Sequence, residues 1–205
     1  MANIYLVSSL VAVIEKLERE LGESLAGKTM TFIPTAGKVE EIKSYIEEAF
    51  NVFKSKGIEV NVLDISISSF EECQTTIEKN DLIYVSGGNT FYLLEELRDK
   101  GVDKVLTDEI TKGKTYIGES AGAIILSPTI DYIEKMDDKT KAPHLKSSEG
   151  LNVINFSPLP HVGHKYLGEY ANDIRDNYHG KEELVPFSDD QLIVVEKTTH
   201  NLRVL

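Results

Sequence analysis

The chain has 205 residues, 41% of them hydrophobic, with 34 acidic against 22 basic side chains and a formal charge of -12. That length suits one compact domain, so residues 1–205 are read as a single α/β unit. The acidic balance argues against nucleic acid or an anionic membrane surface as partner, and no apolar run reaches the ~20 residues of a membrane helix. Along the chain, "MANIYLVSSLVAVIEKLE" reads as a strand followed by a helix rather than as a basic leader, which makes a cytoplasmic protein the expectation. Further strands are predicted at residues 28–36, 58–66, 81–88 and 115–120, each rich in β-branched or aromatic residues and bounded by Gly, Ser or Asp. Helical patterns separate them. Residues 39–57 place Ile42, Ile46, Ala49 and Phe53 on one face and stop at Gly57, and "NTFYLLEELRDKG" turns Leu93, Leu94 and Leu97 inward before Gly101. Cys73, the single cysteine, falls in a polar helix and can form neither an internal disulfide nor a thiolate metal site within the chain. Beyond residue 127 the pattern loosens, then gives the strand-like "VINFSPLPHVG", a helix near 167–179 and the terminal strands "QLIVVEK" and "LRVL".

Strands joined by helices of this length need crossover connections, which predicts a mostly parallel sheet in three layers with helices on both faces. Ligands then belong at the carboxyl ends of the strands, where the loop "SGGNT" and the bend "GESAG" both fall. The second is a Gly-x-Ser-x-Gly turn between a strand and small apolar residues suited to a helix. Such a bend lifts the Ser120 hydroxyl clear of the sheet and turns the Ala121 amide toward the place where an oxyanion forms. A serine needs a base, and of His144, His161, His164, His179 and His200 the best placed is His161, carried off the end of "NFSPLPHVG" and held by Pro158 and Pro160. Gly88 of the "SGGNT" loop is the second expected oxyanion donor, because a glycine lets a backbone amide point into the site. The loop has neither Gly-x-Gly-x-x-Gly nor the Gly-Lys-Ser/Thr ending of a phosphate cradle. No metal and no cofactor are expected, since the histidines lack ligand spacing.

Taken together, "VSGGNTFYLLEELRDKG", "YIGESAGAIILSPTI" and "PLPHVG" resemble the dipeptidase E (α-aspartyl dipeptidase) family of serine peptidases, to which the cyanophycinases are related. The resemblance implies a fold similar to class I glutamine amidotransferase domains with serine in place of cysteine, a Ser-His-Asp/Glu triad, and removal of aspartate from short peptides that begin with it. By position it makes Ser120 the nucleophile, His161 the base, and the amides of Gly88 and Ala121 the oxyanion hole. The family's aspartate lies between nucleophile and histidine, where an ungapped register gives Lys135; Asp137 is the nearest aspartate, with Asp138 and Glu134 as alternatives. Arg175 matches the position of an arginine that meets the substrate's aspartate, and Asn89 and Glu119 are expected beside the substrate. Glu119 departs from the family, because a carboxylate there would repel an acidic peptide, so aspartate preference stays open.

The expected partner is therefore a small peptide substrate, with oligomeric state open between monomer and homodimer. Two other readings stand beside it: an esterase or amidase using the same triad, and a catalytically weak relative that binds a small acidic metabolite.

Overall fold

A computed structural model describes residues 2–196 and 202–205. In chain order the elements are β1 (Ala2–Val7), α1 (Leu10–Leu21), β2 (Thr29–Ile33), α2 (Ser44–Ser55), β3 (Glu59–Val62), α3 (Phe70–Lys79), β4 (Leu82–Val85), α4 (Thr90–Asp99), α5 (Val102–Lys112), β5 (Thr115–Glu119), α6 (Ala121–Ile124), β6 (Phe156–Leu159), α7 (Gly168–Asp176), β7 (Glu183–Pro186), β8 (Leu192–Glu196) and β9 (Leu202–Val204).

The five strands predicted in the first part of the chain all form, and they pair in parallel in the order β3-β2-β4-β5-β1; β8 and β9 extend the sheet antiparallel beyond β1. Burial on both faces follows from the pleat, which sends alternate side chains to opposite sides. In β1, Ile4 and Leu6 join the cluster built on Cys73 and Ile77 of α3, Leu93 and Leu97 of α4, and Leu106 and Ile110 of α5. Tyr5 and Val7 join the other cluster, with Leu10, Val13 and Leu17 of α1 and Ala49 and Phe53 of α2. Each fully buried Leu, Ile or Phe contributes roughly 1.5–3 kcal/mol, which makes these two layers the main support of the sheet. The fold is therefore the three-layer α/β arrangement that the alternation predicts. No helix among the described residues is long and apolar enough to cross a membrane.

Three local differences follow from packing. The helix predicted from Val39 begins only at Ser44, because Thr35–Val39 closes a 3-10 turn whose Ala36 carbonyl accepts the Asn89 amide at 2.9 Å. Ile42 is consequently 74% exposed, while Ala49 and Phe53 stay buried. Cys73 is buried within a helix whose outer face is polar. The third concerns "ELVP", which forms β7 in parallel with β6 as a separate two-stranded sheet, with α7 lying between them in the chain. This pair carries residues that the site requires.

Candidate active site

The bend after β5 is tight for a reason visible in the backbone. Ser120 has φ 47° and ψ -106°, a conformation costing an L-residue roughly 1–3 kcal/mol, and it is held by its amide bonding to Val7 O at 2.9 Å. A Cβ on Gly118 would come within 2.4 Å of Gly122 O, and one on Gly122 within 2.3 Å of Val85 O. Both glycines of the turn are thus required by close backbone approach, which lets α6 start directly over β4 and β5. Gly88, at φ 132°, is packed equally tightly: a Cβ there would lie 2.2 Å from the Ala36 carbonyl carbon. Among the described bonds, none uses the amide of Gly88 or of Ala121.

His161 arrives from β6. The parallel register pairs Leu159 with Pro186, and it continues as Phe187 N donates to Leu159 O at 3.0 Å and Val162 N to Phe187 O at 3.2 Å. Two strands running side by side in the same direction therefore deliver His161 and Asp189 to the same rim. Because β8 runs antiparallel to β1, the turn that precedes it, with Asp189, lies at the carboxyl end of β1. The result is a chain of contacts: Ser120 Oγ is 2.9 Å from His161 Nε2, and His161 Nδ1 is 3.0 Å from Asp189 Oδ1. Ser8, just past β1, adds its hydroxyl, 2.5 Å from Asp189 Oδ1 and 3.0 Å from His161 Nδ1. Burial pushes the Asp189 carboxyl up, but bonds from His161 and Ser8 outweigh it and hold the group below the usual carboxylate range.

Asp137, the acid expected at this place, is not the one against His161. Its Oδ2 accepts the Thr90 amide at 2.8 Å and so caps α4, while burial pushes its pKa up to about 6. The physical reason is chain path: the residues after α6 turn back over the start of α4, and the Asn89 amide group bonds Asp138 O at 3.0 Å there. Asp138 caps its own 3-10 turn through Thr140 N at 2.9 Å, and Glu134 is exposed.

The expected substrate contacts are also revised. Asn89 is a helix cap: it is 1% exposed, and its Oδ1 accepts Tyr92 N at 3.0 Å. Glu119 is 5% exposed, its carboxylate accepting Leu10 N at 2.7 Å and the Tyr84 hydroxyl, so it is committed to capping α1. Burial raises its pKa against the effect of those bonds. Arg175 is exposed on α7 and pairs with Asp176 at 3.1 Å, since α7 turns only Gly168, Ala171 and Ile174 inward. Of the other histidines, His164 lies beside His161 with ring centroids 5.7 Å apart, its Nδ1 taken by the amides of Tyr166 and Leu167. His144 and His179 are exposed, and His200 is outside the described residues.

A cavity of about 890 Å³ between residues 129–135 and α7 is lined by Tyr132, Asp173 and Tyr178 and includes neither Ser120 nor His161. The candidate site is placed at Ser120 instead, because a hydroxyl, an imidazole and a carboxylate meet there in bonding geometry, whereas Lys135 and Asp173 of the cavity lining pair with each other.

A mostly parallel sheet that raises a serine at a strand-to-helix bend against a histidine and a carboxylate defines an α/β protein of the hydrolase class. The chain belongs to peptidase family S51, whose family model matches residues 6–203. It is 45% identical over 195 residues to an uncharacterized peptidase of Listeria monocytogenes, covering 95% of each chain, and 40% identical over 203 residues to an uncharacterized peptidase of Pasteurella multocida, covering 99% of this chain and 98% of that one. Peptidase E of Shigella flexneri is 32% identical over 155 residues, which are 71% of this chain and 63% of that enzyme. A 1.5 Å crystal structure from Listeria monocytogenes, provisionally described as a Peptidase E protein, superimposes with a TM-score of 0.94 at 41% identity, covering 100% of this chain and 98% of that one.

Proposed function

We propose that this peptidase is a serine-type exopeptidase of small peptides that works through an acyl-enzyme. Ser120 Oγ forms a bond to the scissile carbonyl carbon as its proton passes to His161 Nε2, and the carbonyl oxygen becomes an oxyanion facing the amides of Gly88 and Ala121. His161 then gives that proton to the departing amine as the C–N bond breaks. A water, deprotonated by the same nitrogen, cleaves the ester and restores Ser120. Asp189 balances the positive charge that His161 carries between these steps.

The observation that carries this reading is the continuous contact from Ser120 Oγ through His161 to Asp189, at 2.9 and 3.0 Å. Membership of a peptidase family supports it independently. Aspartyl dipeptides are the substrates the resemblance suggests. Arg175 does not strengthen that preference, because it pairs with Asp176 on the surface. The test is a panel of aspartyl and neutral dipeptides with simple esters, run beside labelling of Ser120 by an organophosphonate. Ser120→Ala should lose several orders of magnitude in turnover and all labelling while keeping its fold. Full activity in that variant would overturn the reading, and turnover of esters alone would replace peptidase with esterase.

A further inference from the structure

Ser8 has no part in the steps above, yet it is 2% exposed and meets three polar groups. A serine hydroxyl holds one proton and two lone pairs. Asp189 Oδ1, 2.5 Å away, can only accept while ionised, so that proton is committed to the carboxylate. The His161 main-chain amide, at 2.9 Å, donates into one lone pair of Ser8 Oγ. The ring atom Nδ1, 3.0 Å from Ser8 Oγ and 3.0 Å from Asp189 Oδ1, is then left facing acceptors only. Nδ1 must carry the ring hydrogen, and Nε2 presents a bare lone pair to Ser120 Oγ at 2.9 Å.

We infer that Ser8 is a positioning residue of the active site, whose hydroxyl, bonded to both Asp189 and the His161 main-chain amide, clamps that residue's ring and main chain in the Nδ1–H tautomer that Asp189 requires. The inference rests on the serine-peptidase reading above. It explains how His161 keeps its φ of 66°, a left-handed conformation with no glycine to ease it: the Ser8 bond holds its amide. Ser120 is tied to the same strand end, since Val7 O accepts its amide at 2.9 Å. Consecutive residues of one strand end thereby set nucleophile and base in a common frame, and a base displaced by an ångström loses much of its effect.

The experiment combines 15N-resolved NMR of the histidine rings in the wild-type protein at pH 8 with organophosphonate labelling and dipeptide kinetics of Ser8→Ala and Ser8→Thr. Wild-type His161 should show Nδ1–H. Ser8→Ala should label about 10- to 100-fold more slowly, with kcat lowered in step and KM within about threefold, while Ser8→Thr, which keeps the hydroxyl, restores most of both. Nε2–H in the wild type, or unchanged labelling of Ser8→Ala, overturns the inference. Absence of labelling in the wild type overturns the serine-peptidase reading beneath it. Should Ser8→Ala fail to fold, Ser8→Cys, similar in size but a weak donor, takes its place: labelling slowed about 10-fold or more is expected, and unchanged labelling overturns the inference.

Discussion

Replacing Asp189 by Asn preserves shape and an acceptor atom but removes a charge. The carboxylate lies 3.0 Å from His161 Nδ1, and its side chain is 30% exposed. In the proposed reaction, once His161 has taken the Ser120 proton, two opposite charges roughly 4 Å apart attract by about 4 kcal/mol at an effective dielectric of about 20. Partial exposure screens some of this, so the expected loss in kcat is about 100- to 1,000-fold, with little change in KM because Asp189 stands behind the base rather than against the substrate. The assay is amine release from saturating dipeptide at pH 8, with the labelling rate of Ser120 as a readout independent of substrate choice. Asp137→Asn is the matched control: its carbonyl still accepts the Thr90 amide, and activity should stay within about threefold. If Asp189→Asn kept wild-type kcat, or if Asp137→Asn lost as much, the assignment of the acid would be refuted.

Asp137 should instead reveal itself in stability. Its folded pKa of about 6 lies above the ordinary carboxylate value, so the folded chain binds the extra proton between about pH 4 and pH 6 and loses stability as pH rises through that window. Asp137→Asn should raise Tm relative to wild type at pH 7 and not at pH 3.5; parallel Tm profiles would contradict this. Glu119→Ala strips an acceptor from the buried Leu10 amide and Tyr84 hydroxyl, and urea titration should show a loss of about 2–5 kcal/mol with dipeptide preference unchanged. An altered charge preference with full stability would restore Glu119 to the substrate. Gly88→Ala puts a Cβ 2.2 Å from the Ala36 carbonyl carbon at φ 132°, so thermal melting should report a loss of about 3 kcal/mol or more. A Tm unchanged from wild type would mean that the loop gives way more easily than its packing implies.

Much of this protein follows from local pattern. Alternating β-branched runs and amphipathic helices dictate the parallel sheet, since strands joined by helices have few other ways to bury both faces. The Gly-Glu-Ser-Ala-Gly bend is likewise local: its glycines answer contacts made within the turn and with the neighbouring strand, so the raised serine is written into one pentapeptide. His161 was legible from its place at the end of an apolar segment. Asp189 and Ser8 were not, because nothing in "FSDDQ" or "LVSSL" separates either residue from ordinary turn and strand-end polar groups. Their roles depend on β8 lying antiparallel beside β1 and on β7 pairing with β6, and strand neighbours are chosen by long-range packing rather than by sequence nearby. For the same reason Asp137, two residues past the expected position, is a helix cap: a carboxylate acts on whichever donor the folded chain brings within about 3 Å, and only the tertiary structure decides which donor that is.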